Sequence, residues 1–223
     1  NARFHRKQKI VMAVDLKNFF PSIKSGYVLN VFLRMGYNLA TAVMLTRLCC
    51  LRESLPQGAP TSAYLSNLVM LHFDEKISSY CVSHDIRYTR YADDLTFSGS
   101  FDVAAVLHLV DQELRYLNLK RNPQKLKKMH SYDSQRTTGI VVNEKQQLPR
   151  EYRMKIRQEV HYMEKFGLDD HLAHIGESRS NYINHLLGKI RYALFINPHD
   201  SKMKSYWEIA SSYVSRNDLG GTR

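Results

Sequence analysis

Residues 86–99, Ile-Arg-Tyr-Thr-Arg-Tyr-Ala-Asp-Asp-Leu-Thr-Phe-Ser-Gly, set an acidic pair between two runs of β-branched and aromatic side chains. Such runs favour strands, and the spacing predicts a hairpin with Ala92-Asp93-Asp94 as its tight turn. Asp is common in turns for backbone reasons alone, so an isolated Asp-Asp would mean little. Two adjacent carboxylates nevertheless repel one another unless a cation neutralises them. Hard ions such as Mg²⁺ take oxygen ligands and need only one or two carboxylates besides substrate phosphates.

A third acid strengthens the metal reading. Ile10-Val-Met-Ala-Val14 is an apolar run of the kind that forms a buried strand, and it delivers Asp15 at its end. A strand placed beside the hairpin carries Asp15 to the tip, where it completes a three-carboxylate site for two metal ions.

The chain has 223 residues, enough for one compact domain or one with a small appendage. At 43% hydrophobic it can bury a real core. A formal charge of +11 favours a polyanionic partner, nucleic acid before a membrane surface. Cys49, Cys50 and Cys81 suit neither a disulfide framework nor a zinc site, and a reducing cytoplasm is the simplest setting. No apolar run approaches the roughly 18 residues of a membrane helix, and no signal peptide is visible.

After the Asp15 strand, Pro21 breaks the chain and Ser22 or Ser25 caps a helix over 25–35; a second helix follows over 39–51. Leu55 to Pro60 is a Pro/Gly-punctuated loop. Thr61 or Ser62 then opens one long helix to residue 83, with apolar positions at three- and four-residue steps. The loop therefore sits at a helix N-terminus, where free N–H groups and the dipole favour a phosphate. Residues 102–118 carry a clean helical stripe, 119–128 are basic, and 139–142 read as a short strand. Helical patterns over 150–166, 179–195 and 202–215 follow, so a boundary is expected near 148–150.

The Tyr-Ala-Asp-Asp box at 91–94 and the box formed by Asp15 and Phe19-Phe20-Pro21-Ser22 resemble the palm of a reverse transcriptase. Leu55-Pro-Gln-Gly-Ala-Pro-Thr-Ser62 resembles a third box of that family. Asn1-Ala2-Arg3-Phe4-His5 is similar to the Asn-Ala-x-x-His segment of the bacterial retron branch. Thr137-Thr138-Gly139 is similar, with Thr for the usual Val, to the Val-Thr-Gly segment of that branch. The resemblance is strong through residue 143 and looser beyond. It implies an α+β fold, an antiparallel polymerase palm over 1–148 and a helical, RNA-binding thumb over 149–223. The chain starts on a motif without Met. We therefore expect a piece of a longer protein, lacking the fingers region and weak or inactive by itself.

The resemblance also implies roles. Asp15, Asp93 and Asp94 are the catalytic acids that hold two Mg²⁺ ions. Phe20 lies under the incoming sugar and selects deoxynucleotides, although a core Phe beside Phe19 is an equally simple reading of the residues. Gln57 and Gly58 belong to the dNTP-binding loop, and Lys125 stands near the triphosphate. Tyr91 and Ala92 lie beside the primer terminus, and Thr138 and Gly139 belong to the primer grip. Asn1 and His5 engage the cognate RNA, with a structural hydrogen bond as the default role of His5.

Arg150, Arg153, Lys155, Arg157, Lys165, Arg179, Lys189, Arg191 and Lys202, interleaved with tyrosines, suggest an RNA-binding thumb only as a group. His171-Leu-Ala-His174 reads as a surface turn rather than a metal pair. The implied substrates and partners are dNTPs, a structured non-coding RNA as template and primer, nascent DNA and an effector protein, in the cytoplasm, with a role in defence against phage. Competing readings are a group II intron or other defence-associated reverse transcriptase, a template-independent polymerase, and a non-catalytic RNA-binding scaffold.

Overall fold

Ile10–Asp15 (β1) forms the interior of a four-stranded antiparallel sheet in the order β2-β3-β1-β4, where β2 is Arg87–Tyr91, β3 is Asp94–Gly99 and β4 is Lys127–His130. The computed structural model describes residues 1–176 and 181–218. A strand with neighbours on both edges must satisfy its backbone within the sheet and can be apolar throughout, as Ile-Val-Met-Ala-Val is.

The predicted three-residue turn is shorter than expected. Asp94 already belongs to β3 and pairs with Tyr91, so only Ala92 and Asp93 turn the chain, and Ala92 takes a left-handed φ of 52°. β1 ends at Asp15, where the apolar run places its end. Asn18, at φ 47°, swings the chain into a single turn, Phe19–Ser22 (α1), which buries Phe19 and leaves Phe20 half-buried.

Ser25–Arg34 (α2) and Leu39–Cys49 (α3) follow, the latter capped by the Asn38 side chain accepting from the Thr41 N–H. The expected long helix is two, Pro60–Val69 (α4) and Leu71–Ser83 (α5), hinged at Met70. The backbone ladder runs on through Met70, so this is a bend rather than a stop. Ser66 Oγ donates back to the Ala63 carbonyl, the kind of side-chain competition that bends helices. Val103–Tyr116 (α6) is capped by Asp102 and buries Val106, Val110 and Leu114, the predicted stripe.

The basic stretch after it supplies β4, a strand the sequence did not announce. Lysines on an edge strand discourage pairing with other chains, which explains a polar sequence in this position. The 3₁₀ turn Ala2–His5 packs against β2.

The chain divides into two compact units, Asn1–Thr138 and Gly139–Arg223. Leu148 packs into the second unit's own core. Short strands Arg136–Thr137 (β5) and Ile140–Val141 (β6) flank the turn at Thr138 and Gly139, both at positive φ.

In the second unit, Arg150–Phe166 (α7), Leu168–Ile175 (α8), Tyr182–Ile196 (α9) and Ser201–Asp218 (α10) surround a core including Ile156, Val160, Met163, Leu186 and Ile190. Arg179 lies outside the described residues. His171 is not on a surface turn. It is buried in α8 and shares a hydrogen bond of 2.9 Å with the Tyr182 hydroxyl. Among the described residues no helix is long and apolar enough to cross a membrane.

Candidate active site

The sheet brings the three predicted acids to one end. Asp15 and Asp94 are direct partners at the last position of the β1–β3 register, and Asp93 occupies the adjoining turn. The Leu16 N–H donates to the Asp93 carbonyl at 3.0 Å, carrying the pairing one step into the turn. On the other side of β1, the Asn122 N–H donates to the Asp15 carbonyl at 2.7 Å and the Lys17 N–H to Lys120 at 2.8 Å. Arg121 is itself anchored by its Nε to both carboxylate oxygens of Asp111, at 2.7 and 3.0 Å. The backbone of Asp15 is thus fixed from both sides.

The electrostatics follow from this crowding. The Asp94 carboxyl is pushed above the usual carboxylate range, first by partial burial and then by the charges of Asp93 and Asp15. Lys125 and Lys127 act in the opposite sense. Lys125, on the 3₁₀ turn Pro123–Lys125, donates from Nζ to Asp15 Oδ2 at 2.9 Å.

Hard oxygen donors side by side on two strands, Asp94 among them with its proton affinity raised, are the donor chemistry that a divalent cation suits. Among the described residues, however, no group of three or more His, Cys, Asp or Glu side chains is gathered as a ready-made cage. An oxygen of Asp15 is engaged by Lys125.

The remaining predicted residues are spread around this end and beyond it. Gln57 and Gly58 are exposed on the loop ahead of α4, with Gly58 at φ 86°. Ser62 Oγ donates to the Pro56 carbonyl at 2.6 Å and braces that loop. The Ala59 cap of α4 makes no side-chain bond. Pro60 brings no N–H, and the Ser62 N–H already donates to the Ala59 carbonyl at 3.1 Å, so the expected cluster of free N–H groups is reduced here. Phe20 packs obliquely on Phe19, ring centres 5.2 Å apart. Tyr91 is exposed and Ala92 half-buried, while Thr138 and Gly139 are exposed at their turn.

Asn1 is exposed, but His5 is fully buried and has no surface to offer RNA. Its Nδ1 lies 2.7 Å from Ser98 Oγ and its Nε2 2.8 Å from Thr89 Oγ1. Burial first, with the charge of Arg87 acting in the same sense, lowers its pKa to about 4. His5 therefore ties the N-terminal turn to the acidic hairpin.

Sequence reasoning missed Arg90 and Asp74. Arg90 Nε reaches both oxygens of Asp74, at 2.9 and 3.1 Å. An arginine between two tyrosines in a strand was the available signal, but its partner on α5 is a product of the fold.

An antiparallel sheet that sets acids at the joined ends of its central strands, backed by helices, defines a polymerase palm. Residues 1–163 match the family model described as reverse transcriptase (RNA-dependent DNA polymerase), and the chain belongs to that family. Its curated relatives include the retron Ec86 reverse transcriptase of Escherichia coli, 32% identical over 88% of this chain and 59% of that protein. The retron Mx65 reverse transcriptase of Myxococcus xanthus is 31% identical over 89% of this chain and 49% of its own length. The retron Ec83 reverse transcriptase of Escherichia coli is 29% identical over 99% and 74%. Within the family the chain is of the retron type. It spans about half to three quarters of these relatives. Among solved structures, an apo telomerase from Candida tropicalis truncated from the C-terminal domain superposes with a TM-score of 0.50 at 10% identity, covering 65% of this chain and 36% of that one, a likeness of fold alone.

Proposed function

We propose that this chain is the palm, over 1–148, and the thumb, over 149–223, of a retron-type reverse transcriptase that extends a primer on a structured non-coding RNA. The observation that carries the reading is the register pairing of Asp15 with Asp94, with Asp93 in the turn beside them. Mg²⁺ held by these acids supplies charge neutralisation for the triphosphate and activation of the primer hydroxyl.

The chain's own residues do the rest. Asp15 and Asp93 hold the cations and Asp94 assists. Lys125 stands where it can neutralise charge on the triphosphate. Gln57 and Gly58, on the loop that leads into α4, bind the incoming nucleotide, and Phe20 excludes a 2′-hydroxyl beneath its sugar. Tyr91, Ala92, Thr138 and Gly139 carry the primer backbone. Asn1 meets the RNA, with His5 holding that segment in place. Exposed Lys155, Arg157 and Lys165 on α7 offer phosphate contacts for the RNA. A cytoplasmic location and a role in defence against phage, through an effector protein, complete the reading on the strength of the retron resemblance.

The test is primer extension by the full-length protein with Mg²⁺ and dNTPs, with and without an RNA template. Template-dependent incorporation that Asp93→Ala abolishes is expected. Incorporation without template would identify a terminal transferase. RNA binding without incorporation would leave only a scaffold.

A further inference from the structure

We propose that Arg90 is a positioning residue that fixes the acidic turn against the helix carrying the Gln57–Gly58 loop. The inference rests on Asp93 and Asp94 being the catalytic pair. Arg90 lies on β2, two residues before the turn, and its side chain is only 6% exposed. An arginine is seldom buried to that degree unless its donors are matched.

Here they are matched to three different elements. Nε donates to Asp74 Oδ1 at 2.9 Å and Nη2 to Asp74 Oδ2 at 2.5 Å, the two-pronged geometry that only a planar guanidinium provides. Asp74 is held in turn by the Tyr88 hydroxyl at 2.7 Å, and the Tyr88 ring stacks on Phe97 of β3 at 5.0 Å. The anchor on α5 is therefore itself fixed. The remaining nitrogen, Nη1, donates to Asn67 Oδ1 on α4 at 3.0 Å and to the Ala92 carbonyl at 3.1 Å.

That last bond falls on a residue whose backbone needs support. Ala92 sits at φ 52°, a conformation non-glycine residues adopt only when the surroundings over-determine it. Its carbonyl is the last backbone acceptor before Asp93. Asn67 belongs to α4, which begins directly after Gln57–Ala59. The distance between the nucleotide loop and the acidic turn is thus set through one rigid group. A lysine would keep the charge opposite Asp74 but has no planar fork with which to join all three elements.

The test uses the full-length protein and three variants: Arg90→Lys, Arg90→Met and Asn67→Ala. Asn67→Ala leaves the Arg90–Asp74 pair intact and removes only the tie to α4, so it guards against variants that fail to fold. Incorporation of dTTP on poly(rA)/oligo(dT) gives kcat and KM, Mn²⁺ binding by electron paramagnetic resonance reads the acidic turn without substrate, and thermal melting reads the fold.

The expected result is a kcat lowered about tenfold or more in Arg90→Lys, since small misplacements of reacting groups cost that much. A several-fold weaker Mn²⁺ affinity accompanies it, and Asn67→Ala raises the KM for dTTP with its melting temperature unchanged. Unchanged kcat, KM and Mn²⁺ affinity, with only lower melting temperatures, overturn the proposal and leave a structural ion pair. If the wild-type protein incorporates no dTTP, the polymerase reading falls separately. Mn²⁺ affinity then decides alone: weaker binding in Arg90→Lys upholds the clamp, and equal binding, or none in the wild type, overturns it.

Discussion

Lys125 Nζ lies 2.9 Å from Asp15 Oδ2, bridging the basic segment after α6 to the acid at the end of the central strand. The lysine is 62% exposed and the aspartate 15%, so solvent screens the pair and its worth to stability is small. Its consequence is competitive: a cation that binds Asp15 exchanges with this contact. Lys125→Met is expected to lower the Mg²⁺ concentration needed for half-maximal incorporation. The same variant slows the maximal rate about tenfold, because a cation facing the triphosphate is lost. Magnesium titrations of dNTP incorporation read both effects, and a variant indistinguishable from wild type in each shows Lys125 to be a bystander.

Activity and stability should move in opposite directions at Asp94. Partial burial beside Asp93 and Asp15 raises its pKa, so the folded state holds a proton there more readily than the unfolded chain does. Stability from this group therefore increases as pH falls through the raised pKa, and at neutral pH the carboxylate is a net cost. Asp94→Asn is expected to melt at a higher temperature than wild type at neutral pH, with the gap closing toward acid, while incorporation drops. Stability sacrificed at a working site is a common pattern. Melting curves at several pH values decide it, and a lower melting temperature in the variant at neutral pH contradicts the argument.

Much of this site was legible because its residues act through local pattern. An apolar run ending in an acid, and an acidic pair between two strand-formers, specify β1, β2 and β3 without tertiary information. The α6 stripe was legible for the same reason, periodicity of burial on one face. β4 was not, since its lysines and histidine serve an edge rather than a core. Arg90 and Asp74 were not, since each is an ordinary polar residue until the fold sets them together, 16 positions apart. The bond from His5 to Ser98, 93 positions apart, is of the same kind. Conversely His171 looked like a surface residue because His and Asp neighbours are polar, whereas the fold buries its ring between Tyr162 and Tyr182.

Phe20 offers a test of substrate choice that leaves the acids untouched. It is half-buried and leans on Phe19, so a smaller residue there opens space without emptying the core, where Phe19 remains. Phe20→Ala is expected to narrow the preference for dNTP over rNTP by about tenfold or more, the scale on which one steric contact discriminates. Competing incorporation of dATP and ATP on the same template measures the ratio. An unchanged ratio assigns Phe20 to packing alone.

His5 makes the acidic hairpin's support sensitive to pH. Unfolded, an ordinary histidine takes up a proton near pH 6.5, whereas buried His5 does so only near 4. Between those values the unfolded chain binds more protons, so stability falls as pH drops from about 6.5 to about 4 and changes no further from this group below that. At about 1.4 kcal/mol per pKa unit, the full loss is roughly 3 kcal/mol. Protonation also gives the ring two donors. The Ser98 and Thr89 hydroxyls, 2.7 and 2.8 Å away, must then both accept, so the contact itself survives only with rearrangement. His5→Gln is expected to melt earlier than wild type at pH 7 but to lose less on acidification, so the two curves converge near pH 4. Parallel curves across that window would place the pH dependence elsewhere and leave His5 as packing.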